Sequence, residues 1–336
     1  MNLIQLSHPE HGRRIARVEE GNLHLAGEKF TSIYQMVTEV LEKGTTLTKM
    51  LNASLSEDIL DYNAIYKGES DWKILPAFDH PEQPAMCVLS GTGLTHKASA
   101  ENRQKMHTAA NSGKELNDSI EMYLWGEKGG KPENGKIGVQ PEWFYKGNGS
   151  VLKGHLEALS VPAYADDGGE EAEIAGIYVI DSEGNPVRVG FATANEFSDH
   201  VMEKKNYLYL APSKLRECAI GPELILGLDF KDIPGKVSVE RKGDEIWSSE
   251  VKTGENNITH HLSNLEYHHF KYKQHRLPGQ VHIHFFGTGA FSYGAGIKLE
   301  EGDRMKIDFP KCGRPLINFI KVDGGKEEII EVRELS

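Results

Sequence analysis

The sequence predicts an α+β chain that is richest in β-structure over its second half. Three observations lead there. Past Pro141 the apolar residues come in short, partly β-branched runs (EIAGIYVID, PVRVGFATAN, KVSVERKG, EIWSSEVKTG, VHIHFFGTG) broken by Gly, Pro and Asp, the pattern of strands and turns. Before it, KFTSIYQMVTEVLEKG spaces its apolar residues as a helix does, with Gly44 as the stop. There is no helix–strand alternation of doubly wound type, no internal repeat and no GxxxxGK[ST] loop.

Taken in order, residues 1–25 read as short strands joined by a turn, followed by the helix above and a second short helix around TLTKMLNASL. The stretch from Asp61 to His96 mixes short strands with loops that prolines punctuate. In GTGLTH, Gly91 and Gly93 let the backbone approach something closely, and His96 follows. The segment AENRQKMHTAANSGKELNDSIEMYLWGEKGGKP reads as helical at both ends with a polar middle, a solvated surface in preference to a lid. Short helices are expected around 200–215 and 256–270. The chain thus divides into a smaller α+β region over 1–135 and a β-rich region over 136–336.

Its 336 residues are enough for a sizeable core, and 38 Lys plus Arg against 50 Asp plus Glu give a formal charge of -12. That balance argues against sequence-independent nucleic-acid binding, which needs a basic face. Cys87, Cys218 and Cys312 are too few and too scattered for a disulfide framework or a zinc knuckle, so a reducing compartment is expected. The start lacks the apolar core of a signal peptide, and no run of about 18 apolar residues appears. A cytoplasmic protein with no membrane segment is the expectation.

The candidate chemistry lies between Gly169 and Asp199. Glu171 and Glu173 open an apolar strand and, two apart, share a face. Two carboxylates on one face repel unless a cation sits between them. DSEGNP reverses the chain, and a second run ends in Asn195-Glu196, so a hairpin would return Glu196 beside the first two. Three carboxylates at one sheet edge suit a hard cation such as Mg2+. By spacing alone, a solvated acidic strand still outweighs a metal site.

Five segments, in order, change that balance: PEWFYKGNGS, EAEIAGIYVI, ATANEFSDH, CAIGPEL, and FFGTGAFSYGAG leading to LEEGDRMKIDF. Together, over about 140–320, they resemble the catalytic domain of the fumarylacetoacetate hydrolase superfamily. GTGLTH, GVQPEWFYKG, NEFSDHVMEKKNYLYLAPSKLR, NLEYHHFKY and VHIHFFGTG are similar to its sugar-acid branch, which includes 2-keto-3-deoxy-sugar-acid (arabinonate-type) dehydratases. The superfamily usually has Asp after the Asn, where this chain has Glu196, which keeps the charge on a longer arm.

The resemblance implies a rolled, mixed β-sheet and a homodimer. It implies that Glu171, Glu173 and Glu196 hold Mg2+ or Mn2+, that Lys214 faces the substrate, and that Thr288, beside Gly287, binds the substrate carboxylate. It also places a catalytic group at His96. For Lys146, which with Lys153 flanks GNGS, a substrate contact at the pocket mouth and a solvated loop are both open. The implied partner is a small 2-oxo acid. Dehydration of a 2-keto-3-deoxy sugar acid comes first, with Lys214 orienting or deprotonating and His96 or a nearby loop acid serving the leaving group. A C–C hydrolase of acylpyruvates or diketo acids is the alternative, marked by a His96–glutamate pair that activates water. A non-catalytic sugar-acid-binding protein is the third reading.

Other groups read as structural. His282 and His284 share a face without an evident third zinc ligand, and His268 and His269 suggest packing or a pocket wall. Cys218 reads as a small packed residue, Asp303 as a turn former, and Trp143, Phe144 and Tyr145 as core or dimer interface.

Overall fold

The hairpin forms as its sequence dictates. The strand Ala172–Ile180 is buried at every position and pairs antiparallel with Pro186–Asn195, so that Glu173 lies opposite Ala194. The Asp181 side chain accepts from the amides of Glu183 and Asn185 and closes the turn between them. Uninterrupted burial on both faces explains the continuous apolar run in place of strict alternation.

The computed structural model describes residues 1–108 and 118–335. Among these, the hairpin sits centrally in a 13-stranded mixed sheet. On one side Val281–Phe285 pairs with the hairpin, then Cys87–Gly91 in parallel, then Phe144–Asn148. On the other side Leu224–Ile225 links it to Asn2–His8, followed by Gly12–Glu19, Asn22–Ala26 and Leu55–Asp61. The sheet therefore draws strands from both sides of residue 135. A second sheet orders Asp244–Thr253, Ile233–Arg241, Arg304–Asp308, Leu316–Val322 and Ala158–Val161. The result is the β-rich α+β architecture expected.

One core fills the space between the large sheet and the helix Ile33–Lys43, which presents Ile33, Met36 and Val37 inward. Ser32 caps that helix by accepting from the Gln35 amide, worth about 1 kcal/mol, and the helix stops at Gly44. A second core joins the two sheets through Phe191, Phe230, Phe286, Ile307 and Phe309. Fully burying a side chain of this size contributes about 1.5–3 kcal/mol. The helix Leu47–Ser54 forms as expected, and the 256–270 region supplies Leu262–Phe270. Some elements depart from the sequence reading, the strands Leu55–Asp61 and Ala158–Val161 among them. Tyr62–Tyr66 is a short helix capped by Asp61, where strands and loops were expected, and Leu316–Val322 is a strand the reading did not name. The expected helical ends around 100–135 form as Lys97–Thr108 and Asp118–Gly129, and the polar middle at 109–117 lies outside the described residues. No helix among the described residues is long and apolar enough to cross a membrane.

The histidines of the second half pack in the interior. The Trp143 indole N–H, which can only donate, bonds His269 Nδ1 at 3.1 Å. His269 Nε2 must then carry the proton and donate to His282 Nδ1 (2.9 Å), and His282 Nε2 donates in turn to Gln280 Oε1 (3.3 Å). His284 is bonded at both nitrogens, to Ser90 and Thr92 (2.8 Å each). These rings are structural, as expected, and no zinc set forms from them among the described residues.

Burial disfavours the imidazolium form and pushes His282 and His284 down to about 3, and His155 and His260 to about 4. In the unfolded chain these groups protonate near 6.5. Their contribution to stability is complete above that value and is lost as pH falls through it toward 3–4. Thermal scans should show Tm dropping by about 10 °C or more between pH 7.5 and 4.5. A Tm that does not move over this range would contradict the burial of these rings as neutral groups.

Candidate metal centre

The return of the hairpin brings Asn195 opposite Ala172, and the Glu196 amide donates to the Glu171 carbonyl at 3.0 Å. Glu171, Glu173 and Glu196 thereby converge, each buried, with one oxygen of each within 4.8 Å of the others. Lys214 follows the short helix Leu210–Ser213, and its ammonium lies 2.8 Å from Glu171 Oε1 and 2.8 Å from Glu196 Oε2, above the Phe144 ring. Lys146, wholly buried on Phe144–Asn148, lies 3.2 Å from Glu196 Oε1 and donates to the Phe197 carbonyl. All three carboxylates, Lys214, Gly287, Thr288 and Phe144 line one cavity of about 20 Å3, room for one water-sized occupant.

The electrostatics show an unmet charge. Burial would raise Glu171, but Lys214 and His200 beside it outweigh burial and hold it well below the usual carboxylate range. Burial lifts Glu196 to about 7, against Lys214 and with Glu171. Glu173 is pushed well above the usual range by burial and by the two neighbouring carboxylates. The two lysines pair with Glu171 and Glu196, so Glu173, once ionised, lacks a cation. Glu173 accepts instead from the Gly287 amide at 2.7 Å. Position 287 must be glycine, because its φ is +96° and a Cβ would stand 2.3 Å from Thr95 Oγ1. An all-oxygen donor set with an uncompensated charge fits a hard divalent cation. Nothing in it points to Mn2+.

Two sequence-selected residues stand elsewhere. His96 is buried but is not among the residues lining the cavity. Its Nδ1 bonds Thr95 Oγ1 at 2.9 Å, the ring packs toward Gly289 and the Lys252 carbonyl, and burial lowers it to about 4. Lys146 serves Glu196 from behind and does not line the cavity. Thr288 does line it, with its hydroxyl 3.1 and 2.9 Å from the Ala172 and Ala290 carbonyls. Burial lifts the Cys218 thiol to about 12, in keeping with a packed residue, and Asp303 forms the expected turn by accepting from the Glu300 amide.

The sequence reading missed four groups. His200 Nε2 bonds Glu171 Oε1 at 2.9 Å, and its ring lies between Phe291 and Tyr293, with centroids 5.0 and 5.2 Å away. Glu170, fully buried, accepts from the Ser292 amide and hydroxyl (2.6 and 2.7 Å) and so fixes the loop that supplies those rings. Arg103 and Glu203 complete the wall, 2.7 Å apart. His200 and Glu203 were within reach of sequence reasoning, since they follow Glu196 closely on the chain and, three apart on the helix His200–Lys205, share one face. Arg103 sits in a polar helix with no apolar stripe and gave no signal.

A divalent cation that binds only the folded chain must raise its stability with concentration. Mg2+ should therefore raise Tm, and its affinity should weaken as pH is lowered, because Glu173 has to lose its proton to become a ligand. Glu173→Gln should abolish the Tm response. A response equal to the parent's in that variant would remove Glu173 from the site.

No protein-family model matches the chain, and no curated protein matches it in sequence. Solved structures do match in shape. The complex of 2-keto-3-deoxy-D-arabinonate dehydratase with magnesium and 2,5-dioxopentanoate is similar at TM-score 0.69 and 18% identity, covering 96% of this chain and 99% of that one. A 5-carboxymethyl-2-hydroxymuconate delta-isomerase from Mycobacterium smegmatis gives TM-score 0.56 and 15% identity over 96% of this chain and 100% of that one. A 2-hydroxyhepta-2,4-diene-1,7-dioate isomerase from Mycobacterium marinum gives 0.56 and 14% over 97% and 100%. The architecture implied by the motifs is thus found: the chain has the fold of these structures, in a form similar to the arabinonate dehydratase.

Proposed function

We propose that the chain is a Mg2+-dependent lyase that removes water from a 2-keto-3-deoxy sugar acid. The observation that carries this reading is the convergence of Glu171, Glu173 and Glu196 with Lys214 on one buried cavity. It is supported by full-length likeness to a dehydratase whose structure holds magnesium and a 2-oxo acid. The isomerases show that this fold does not by itself select the reaction.

Glu171, Glu173 and Glu196 would hold the cation by carboxylate oxygens. When bound, Mg2+ supplies Lewis-acid stabilisation of the negative charge that develops on a keto oxygen as an adjacent proton leaves. The chain's own residues do the rest. Lys214 is held as an ammonium: burial works against the charge, but Glu171 and Glu196 raise its pKa well beyond the usual lysine value. That makes it a fixed positive charge that orients an anionic substrate and a poor base. Thr288 offers a hydroxyl to the substrate carboxylate from the same wall. Proton transfer at C3 and at the C4 hydroxyl falls to the other titratable groups of the wall, His200 and Glu203, in place of His96.

The hydrolase reading asked for a His96–glutamate pair to position water. His96 bonds Thr95, so no observation favours that branch. A homodimer and a cytoplasmic setting rest on the resemblance and the composition.

The test offers C5 and C6 2-keto-3-deoxy sugar acids beside acylpyruvates, with and without Mg2+, and identifies products by mass. Loss of one water from a sugar acid, only with metal, is expected. Cleavage of acylpyruvates to pyruvate would move the function to the hydrolase, and binding without turnover to a binding protein. Glu171→Ala should lower metal-dependent kcat by about 100-fold or more while circular dichroism stays unchanged. Full activity in that variant would end the assignment.

A further inference from the structure

Beyond the carboxylate cluster, the cavity wall holds a second set of charges with a different design. Arg103 lies on the helix Lys97–Thr108 with only 11% of its side chain exposed. Its Nη1 bonds Glu142 Oε1 at 2.6 Å, and its Nε stands 2.7 Å from Glu203 Oε1. Both carboxylates are nearly buried, at 13% and 4% exposed. One guanidinium therefore meets two carboxylates and has no positive charge left to offer a third.

The same holds for the whole wall. Lys214 lies between Glu171 and Glu196, and Lys146 serves Glu196. Arg103 and Lys214, the arginine and lysine that line the cavity, are thus each held between two carboxylates. A second carboxylate would meet a wall whose arginine and lysine are already paired, and an unpaired buried charge is costly.

The wall does offer hydrogen-bonding groups. Arg103 Nη2 makes no hydrogen bond among the described residues. Glu142 Oε2 is buried without a partner. Both flank Gly93, which lines the cavity: a Cβ built there would stand 1.8 Å from Glu142 Oε2 and 3.6 Å from Arg103 Nη2. The missing Cβ lets a donor and an acceptor sit side by side at the cavity. A hydroxyl, which both donates and accepts, satisfies the two together. A carboxylate satisfies only the donor and is repelled by the acceptor.

We infer that Arg103, locked between Glu142 and Glu203, is a specificity element that admits 2-oxo acids with an uncharged, hydroxyl-bearing far end and refuses those with a second carboxylate. The inference rests on the proposed 2-oxo acid function and adds to it the charge and polarity of the end remote from the cation. Arg103 acts by being neutralised in advance, so its two partners matter as much as the guanidinium does.

The experiment is calorimetric binding to the Mg2+-loaded protein of three five-carbon probes: 5-hydroxy-2-oxopentanoate, 2-oxopentanoate and 2-oxoglutarate. The hydroxylated probe should bind most tightly, and 2-oxoglutarate at least about tenfold more weakly than 2-oxopentanoate. Glu203→Gln and, independently, Glu142→Gln each release positive charge on Arg103, and each should narrow the gap between 2-oxoglutarate and 2-oxopentanoate by about tenfold. A merely structural role for the two glutamates would weaken all three probes together and leave their ratio unchanged, which would overturn the inference. Equal or tighter binding of 2-oxoglutarate to the parent protein would also overturn it, while leaving the 2-oxo acid site standing. If none of the three probes binds in the presence of Mg2+, the proposed function fails first and the inference with it.

Discussion

The arrangement depends on three carboxylates buried within a few ångströms of one another. Such a cluster is unfavourable in isolation: each charge loses its water, and each repels the other two. The fold meets this by spending buried lysines on it. Lys146 lies beneath Glu196, and Lys214 spans Glu171 and Glu196 with Phe144 against its ammonium. Because the two lysines serve Glu171 and Glu196, Glu173 lacks a protein cation once it is ionised. An all-oxygen cluster with one acid left unpaired is an arrangement that suits a hard cation.

That requirement organises the architecture around it. The central hairpin must be deeply buried to hold the acids out of water, so strands flank it on both sides, and the Gly287 turn must approach closely enough to donate to Glu173. Glu170, at the edge of the same strand, points into the loop at Ser292 and fixes the rings that sandwich His200. Four consecutive positions, Glu170 to Glu173, thus reach three different neighbourhoods: a supporting loop, a lysine and histidine, and the turn at Gly287. Period-two alternation alone would not produce this, and the strand begins only at Ala172, which frees the two residues before it.

Much of this was legible in the sequence, for identifiable reasons. The hairpin could be read because its apolar runs are continuous and its turn is rich in Asp, Gly and Asn, and the convergence of Glu171, Glu173 and Glu196 follows from its register. Lys214, Gly287 and Thr288 came from ordered motifs that resemble a known superfamily, and the structure brings all three to the cavity. His96 shows where such transfer weakens. Its local sequence fitted a catalytic loop, but the hydroxyl of Thr95 and the floor formed by Lys252 and Gly289 set its ring in the interior. Lys146 was legible as important and misread as to place, because nothing in FYKGN tells whether a lysine enters a pocket or supports it. Arg103, Glu142 and Glu203 come from segments about 40 to 100 residues apart, and no local pattern announces that they meet.

The imidazoles beneath the sheet have a consequence of another kind. One indole that can only give a proton sets the tautomer of His269, which sets that of His282, which fixes the orientation of the Gln280 amide. Three segments distant in sequence therefore share a single polarity, in the way that a row of compass needles aligns behind the first. The order has a sense as well as a geometry: reversing one ring would bring two protons, or two lone pairs, face to face at the next. Trp143 stands immediately between Glu142, which bonds Arg103 of the cavity wall, and Phe144 beneath Lys214. The residue that orients the interior and the residues that shape the site are thus neighbours on one strand entrance, and neither can be repositioned without the other.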